Sequence, residues 1–599
     1  MRTKLFSVVA LLMTASLILA ACGGATPVVQ TVIVGGEVQV VTATPGPAPE
    51  GPKVITGTFG APGDVPTIDP ALSTDTSSTT IVNATTVGLS YLNEAEATLG
   101  PGMAETWDIS EDGLTYTFHL RQGITWVKWD GSQVVQVMDC AETPAPRPVT
   151  AHDFEYSIKR ALAPETASDY AYVLAFAIAG ASEYNAGEGA VEDVAVTAVD
   201  DYTLEIGFLN DAAYNANIVG LWTAHAVPRW LIEGDDCTEA RGDRWTEPGF
   251  FQGYGPFTLK EWVHDSSITI IKNPFWPGTE NIPVPALDEV THLLALDEAA
   301  ALAEYEAGNI DWSPVPSAEI DRIKADPVLS QEFRVGNSLC TYYYGFNTHA
   351  PFVDDARVRR ALSMAIDRQS LIDNVTKGGQ EPAQWFARPG LVAAPTMDTH
   401  PDLGIKYDPA AAMAELQSYL DEKGLTVDQL DITLMFNTSS GHQRIAEAIQ
   451  QMWRDNLGLT VNLTNQEWQV FLDTIRDPVA TPQIYRLGWC QDYPDANNFT
   501  REVFVDGGSA NPSAGGGINW KPGEGNYDQF EEIVLQAVKE RDEAARVELY
   551  AQAEEILVAT DAVIAPIYWY TSVGVTKPYI TRTYALTGHQ DFTTWDTSK

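Results

Sequence analysis

The chain has 599 residues, of which 45% are hydrophobic and 20% charged, with 81 acidic against 36 basic side chains and a net charge of −45. Its length allows several lobes. Its charge excludes a nucleic-acid partner, because a phosphate backbone requires clustered Lys and Arg.

At the N-terminus Arg2 and Lys4 precede an apolar run over residues 5–20 and then Leu19-Ala20-Ala21-Cys22. This is the pattern of a secretory signal, and the run is short of the roughly 20 residues a membrane span needs. Cysteine directly after Leu-Ala-Ala resembles the bacterial lipobox, which implies lipidation of Cys22 and a new N-terminus there. Residues 23–52 are Gly, Pro, Thr, Val and Ala with almost no charge, and by composition they read as a flexible tether. A soluble body held at the outer face of a membrane, at the cell surface or in a periplasm, is the expectation.

In the body, Leu114, Tyr116, Phe118 and Leu120 alternate with polar residues after "SEDG", which predicts a strand with one buried face. Residues 266–273 read similarly. In "ARVRRALSMAIDRQSLIDNV" the apolar positions 358, 361, 362, 365 and 366 predict one helix, with Asp354 and Asp355 at its start as caps. Residues 431–463 predict a βαβ unit: Ile432, Leu434 and Phe436 alternate, Ile445, Ile449, Met452 and Trp453 share a helix face, Gly458 stops it, and Leu459, Val461 and Leu463 alternate again. The loop "NTSSGH" then lies at the strand's carboxyl end and the helix N-terminus, a natural anion site, and carries His442. Next comes "YRLGWCQDYPDANNF", residues 485–499, where apolar Leu487 and Trp489 suggest partial burial and the Tyr-Pro-Asp run a turn. A half-buried acid there needs a cation, either an Arg or Lys of this chain or one from outside. A last apolar stripe, Ala545, Leu549, Ala553, Ile556 and Leu557, predicts a helix. Strands and helices in mixed succession without a repeat favour α/β lobes.

Apart from Cys22 there are four cysteines, Cys140, Cys237, Cys340 and Cys490, with no C-x-x-C and no histidine at metal-ligand spacing. Outside the cytoplasm they suggest two disulfides with three open connectivities. No metalloprotease, serine-hydrolase, phosphate-loop or dinucleotide motif occurs. An enzyme is therefore not expected, and neither a cofactor nor a metal. The carboxylates of so acidic a chain mostly form solvated faces.

In order along the body stand "PTIDPAL", "MAETWDISEDGLTYTFHLRQGITW", "VTAHDFEYSIKRALAP", "GYGPFTLKEWV", "SLCTYYYGFNTHAPFVDDARVRRALSMAIDR" and "ELYAQAEEILVATDAVIAPIYW". Together they resemble the extracellular solute-binding proteins of the peptide/nickel ABC transporter family, most nearly the oligopeptide-binding proteins. The resemblance implies a two-lobed periplasmic-binding-protein-like α/β fold, class II and of the large peptide-binding type. Lobe I is expected from residues 53–86, 228–339 and 560–599, with an extra subdomain over 87–227, and lobe II from 340–559, after a signal of residues 1–22 and a tether of 23–52. It implies an oligopeptide ligand, permease subunits of an ABC importer as partners, contact with the membrane only through the lipid, and a monomer. Relatives of the fold bind oligosaccharides, nickel complexes or other solutes, and a secreted hydrolase is the rival from another class.

The same resemblance assigns residues. In the R-x-G-W-C-x-D-Y motif Asp492 takes the ammonium of the peptide's N-terminus, since an unpaired buried charge is prohibitive. Arg486 and His442 match residues that receive peptide carboxylates. Tyr170, Tyr343, Trp468 and Trp489 match side chains that line the cleft, and residues 74–76, with Thr74 and Thr76, match the edge whose backbone pairs with the peptide. Cys340 is expected to bridge to Cys490, closing a loop of about 150 residues for roughly 5 kcal/mol at most. Cys140 and Cys237 each fall in sequence the family lacks, which pairs them as a second bridge. Where the family has a carboxylate-receiving lysine this chain has Thr376, followed by Lys377, and Ser338 stands in place of an aromatic, so the far end of the ligand is expected to be held differently.

Overall fold

The computed structural model of the chain describes residues 29–34, 37–42, 51–59, 63–93, 95–477, 479–510, 520–584, 586 and 590–599. The signal run and Cys22 lie outside the described residues. The chain divides into Met1–Pro52 and Lys53–Lys599. In the first unit Val29–Val34 and Glu37–Thr42 pair as an antiparallel hairpin. A tether read from composition overlooks it, although alternating valines on either side of Gly35-Gly36 are a short-range hairpin signal.

The second unit holds three main sheets. Phe257–Val263, Ser267–Lys272 and Glu289–Leu293 run antiparallel, and Val54–Thr58 adds to Glu289–Leu293 in parallel. Val196–Asp200, Thr203–Gly207, Thr115–Leu120 and Ala104–Ile109 form an antiparallel sheet in which Tyr116, Phe118 and Leu120 face inward, as their alternation requires. The third sheet has the order Trp312–Pro314, Ile564–Thr576, Phe333–Phe346, Ile484–Cys490, Thr433–Asn437, Asn462–Gln466.

Two long strands of this third sheet join its halves. Phe333–Phe346 and Ile564–Thr576 pair from Phe333 opposite Val575 to Gly345 opposite Ile564, with the register shifting between Asn337 and Thr341. On one side of that shift Val575 packs with Leu302, Tyr305 and Ile323. On the other, Tyr342, Tyr344 and Phe346 pack with Leu362, Ile449 and Trp453. Two apolar clusters on one pair of strands give the two α/β lobes a continuous backbone link.

The βαβ unit forms as predicted: Thr433–Asn437 and Asn462–Gln466 are parallel neighbours around the helix Ser440–Leu457. Ser439 caps that helix by accepting from the N–H groups of Gly441 and His442, and Gly458 ends it at φ +68, where a side chain would be strained. Ile445, Ile449, Trp453 and Leu457 are its buried face, each contributing about 1.5–3 kcal/mol. The single helix predicted over residues 356–375 is instead interrupted. Ala356–Met364, capped by Asp355, stops before Asp367, whose carboxylate accepts from Ser370 N–H and caps a new turn, Arg368–Leu371. The Arg368 guanidinium is buried in the break and donates to the carbonyls of Pro566, Ser363 and Ile366. Those carbonyl contacts outweigh a periodicity that reads straight through.

Both disulfides are present, Cys140–Cys237 and Cys340–Cys490. Among the described residues no helix is long and apolar enough to cross a membrane.

Candidate functional site

The strand Ile484–Cys490 lies antiparallel to Phe333–Phe346 with Cys490 directly opposite Cys340, so the bridge fixes the strand's end. Past it the chain turns, because Asp495 caps the short helix Ala496–Asn498 and sends Asn498 back against the residues just before the turn. Its side-chain oxygen accepts from the Trp489 indole at 3.1 Å and from Asp492 N–H at 3.0 Å, and its amide donates to Asp492 Oδ2 at 2.9 Å. Asp492 is buried, and among the described residues no Lys, Arg or His pairs with it. Burial pushes its carboxyl up to about 7, with the charge of Glu502 adding to this and the bonds from Asn498 and Tyr170 opposing it. The neighbouring acids differ: Asp495 pairs with Arg546 at 2.6 Å and Glu502 with Arg501 at 3.2 Å.

Asp492 forms part of the wall of a cavity of about 330 Å³ that also includes Thr74, Thr76, Tyr170, Trp468, Arg486 and Trp489. Arg486 is buried with no carboxylate partner among the described residues. Its guanidinium donates to Asn437 Oδ1 at 3.0 Å and to the Tyr570 hydroxyl, and lies 4.5 Å from the Tyr342 ring centre. Gly488 permits this arrangement, because a Cβ there would meet the Tyr570 hydroxyl at 2.8 Å. One wall thus carries a buried carboxylate and a buried guanidinium, six residues apart, neither with a charged partner.

Three expected positions stand differently. Tyr343 is in the core, edge-on to Phe386, and is not in the cavity wall. His442 also lies outside the wall. Burial and the nearby Arg486 charge hold its ring well below the usual histidine range, so it is neutral, and Nδ1 is 3.3 Å from the Tyr342 hydroxyl. Thr76 opens the helix Thr76–Thr85, so an extended backbone edge is left only up to Asp75, at φ −129 and ψ 159. Lys377 pairs with Asp321, and Thr376 donates to Gln380 at 2.9 Å.

Other features of the wall escaped the sequence reading. Asp75, expected only as part of the backbone edge over residues 74–76, is a buried N-cap whose carboxyl is raised by desolvation. Gln491 is buried with an amide that finds no partner among the described residues. Tyr570 and Trp222 come from distant segments, and Arg476, also in the wall, pairs with Asp169. The alternation of Tyr568 and Tyr570 was the one local signal for Tyr570. Among the described residues, the one group of His, Cys, Asp and Glu close enough to share a metal is Cys140, Asp235 and Cys237, and its sulfurs are taken up in a disulfide.

A family described as bacterial extracellular solute-binding proteins, family 5 Middle, matches residues 98–511. The chain is 33% identical to the oligopeptide-binding protein OppA of Bacillus subtilis, covering 85% of this chain and 86% of that one. The substrate-binding domain of an oligopeptide ABC transporter from Bacillus anthracis superposes at a TM-score of 0.78 and 25% identity, over 92% of this chain and 99% of the other. The Escherichia coli murein tripeptide-binding protein MppA, 28% identical, superposes at 0.77 over 92% and 99% of the two chains, whereas its unliganded open form reaches 0.59 over 91% and 97%.

Proposed function

The chain belongs to the family 5 bacterial extracellular solute-binding proteins, and from that membership we propose that it binds oligopeptides in the cavity beside Asp492 and delivers them to an ABC importer. The observation that carries this is Asp492 itself. A carboxylate buried in a cavity wall and opposed by no cation among the described residues is costly unless something positive arrives, and a peptide's free amino terminus is such a cation. Arg486 complements it as the partner for the ligand's carboxylate, with His442 behind the Tyr342 ring as a neutral hydrogen-bonding group. Six residues of extended chain reach about 20 Å at most, which limits a peptide held at both ends by Asp492 and Arg486 to about six residues. Trp468, Trp489 and Tyr170 offer flat apolar surface to side chains between them, and Thr74 with Asp75 offers backbone.

Lobe I is assigned to residues 53–86, 228–339 and 560–599, with a subdomain over 87–227, and lobe II to 340–559. Parallel pairing of Val54–Thr58 with Glu289–Leu293 supports joining the first two segments. Pairing of Trp312–Pro314 with the end of Ile564–Thr576 supports adding the third. A lipid at Cys22 tethers the monomer to the outer face of the membrane, which rests on the lipobox pattern and is tested by the mass of the N-terminal peptide of native protein. Tyr343 is assigned to packing behind the wall.

Calorimetry with trialanine on Asp492→Asn and on the wild type tests the site. A loss of about 3–5 kcal/mol is expected for removing one partner of a buried ion pair, and undiminished affinity would overturn the assignment.

A further inference from the structure

The disulfide Cys140–Cys237 lies at the surface, and both of its residues are exposed. Its surroundings are built on one arginine. Arg147 donates through Nε to the Met138 carbonyl at 3.1 Å and through Nη2 to the Asp235 carboxylate, and its guanidinium lies 4.4 Å from the centre of the Trp230 ring. These contacts fix the side chain and keep most of it out of solvent. The same Nη2 is 3.3 Å from Cys140 Sγ and donates to it. Cys237 Sγ has the Thr238 hydroxyl at 3.9 Å as a polar neighbour, and among the described residues no Lys, Arg or His donates to it. A carboxylate oxygen of Asp235 lies within 4.8 Å of both sulfurs, so its charge bears on the two alike. The difference between the two sulfurs is the guanidinium.

An arginine N–H beside a sulfur stabilises its thiolate, and in thiol–disulfide exchange the sulfur with the more stable thiolate is the better leaving group. We propose that Cys140–Cys237 is a thiol-exchange site, at which a small positively charged thiol attacks Cys237 and becomes attached to it. The attacking thiolate forms a bond to Cys237 Sγ, the bond between the two cysteines breaks, and its electron pair leaves on Cys140 Sγ, where Arg147 holds it. A second thiolate attacking the outer sulfur of the adduct releases Cys237, so that the protein's disulfide is reduced while two thiols are oxidised to a disulfide of their own. Charge selects the thiol. Asp235 pairs with Arg147 and Glu239 with Arg241 at 3.2 Å, whereas Asp139, Glu142 and Asp236, each within two residues of a bridged cysteine, have no ion-pair partner among the described residues. An aminothiol is drawn to such a surface and an anionic thiol is repelled. The other bridge is closed to this chemistry, because Cys340 is buried at the end of its ladder and the group beside its sulfur is the neutral Ser338 hydroxyl, at 3.0 Å. Cys140, Cys237 and Arg147 are all outside the wall of the cleft, so the site is separate from the one that holds Asp492.

In the test, the full chain is incubated with cysteamine or with 2-mercaptoethanesulfonate at equal thiolate concentration, quenched with excess iodoacetamide and mapped by mass spectrometry without reduction. The expected product carries cysteamine on Cys237 and the alkyl group on Cys140, with Cys340–Cys490 intact. Cysteamine should react at least about fivefold faster than the sulfonate, and the advantage should shrink as salt is raised. Arg147→Met, which keeps bulk against Trp230, should slow the opening about tenfold and spread the adduct over both cysteines. An adduct mainly on Cys140, or both bridges opening at the same rate, would overturn the proposal. Equal rates for the two thiols would overturn the choice of a cationic one. The position of the adduct and the two rates are read on wild-type protein, so they decide the matter even if Arg147→Met does not fold.

Discussion

Asp492 is held by hydrogen bonds from Asn498 and Tyr170, and among the described residues no cation neutralises it. Asn498 supplies a hydrogen bond and fixes the carboxylate's direction, but an amide dipole cannot replace a cation, and burial therefore raises the carboxyl to about 7. That has a consequence for binding with a definite sign. An ammonium pairs with the ionised form, so below about pH 7 the ligand must first displace a proton, while above it the site is ready. Affinity for trialanine is accordingly expected to be greatest between about pH 7 and 8, to fall with acidification by up to about tenfold per pH unit, and to fall again on the alkaline side as the peptide's own amino group, of ordinary pKa about 8, loses its charge; titration calorimetry from pH 5 to 8.5 measures it. A flat profile would mean that another group meets the amino terminus. The climb from 3.8 to about 7 corresponds to about 4 kcal/mol for the ionised carboxyl, an upper bound on what a closed and empty cleft must bear at alkaline pH.

The strand Ile484–Cys490 holds Arg486 and Trp489 in register because its ladder to Phe333–Phe346 is continuous from Ile484 opposite Phe346 to Cys490 opposite Cys340. Asp492 lies beyond the ladder, so it depends on the bridge and on the Asn498 turn instead. The two disulfides close chains of similar length, with separations of 150 and 97 residues, and a chain-entropy argument alone gives them similar worth, about 5 kcal/mol each at most. They differ in what they hold. Cys140 and Cys237 are exposed and lie outside the cavity wall, whereas Cys490 ends the strand that leads to Asp492. Replacing Cys140 and Cys237 together by Ala should leave peptide affinity within twofold, and replacing Cys340 and Cys490 together should lower it by tenfold or more. Equal effects of the two double variants in calorimetry would deny the bridge its positioning role.

At the scale of the molecule, the better superposition on one MppA structure, 0.77, than on its unliganded open form, 0.59, places the lobes of this chain in an arrangement unlike the open one. Contacts consistent with closure join segments hundreds of residues apart: Arg476 to Asp169, and Arg501 to the Phe176 carbonyl at 3.3 Å with its guanidinium 4.4 Å from that ring. The Arg476 pair is partly exposed and stabilises little. Against it stands the uncompensated charge of Asp492, so closure without a ligand is unfavourable and closure with an ammonium in place is not. Small-angle scattering at pH 8 should show an expanded ligand-free protein that compacts on addition of trialanine, bending where the two long strands shift register near Cys340. Asp492→Asn without ligand should be more compact than wild type. Identical scattering for all three samples would remove the link between this charge and closure.

Much of this was local and therefore readable. The alternation at Tyr116 to Leu120, the βαβ unit with its Ser439 and Gly458 stops, and the turn after Cys490 that holds Asp492 each depend on residues a few positions apart, where chain geometry alone dictates period and capping. The resemblance carried the two-lobed fold and both cysteine pairings. What it could not carry is which side chains converge from afar. Gly488 making room for Tyr570, a neutral His442 behind Arg486, Tyr343 turned into the core, and the helix broken at Asp367 by a buried arginine all arise from packing between segments tens to hundreds of residues apart. Burial and the field of neighbouring charges are set by the whole fold, and only there is it decided that the Asp492 carboxylate, among the described residues, faces the cavity with no cation beside it.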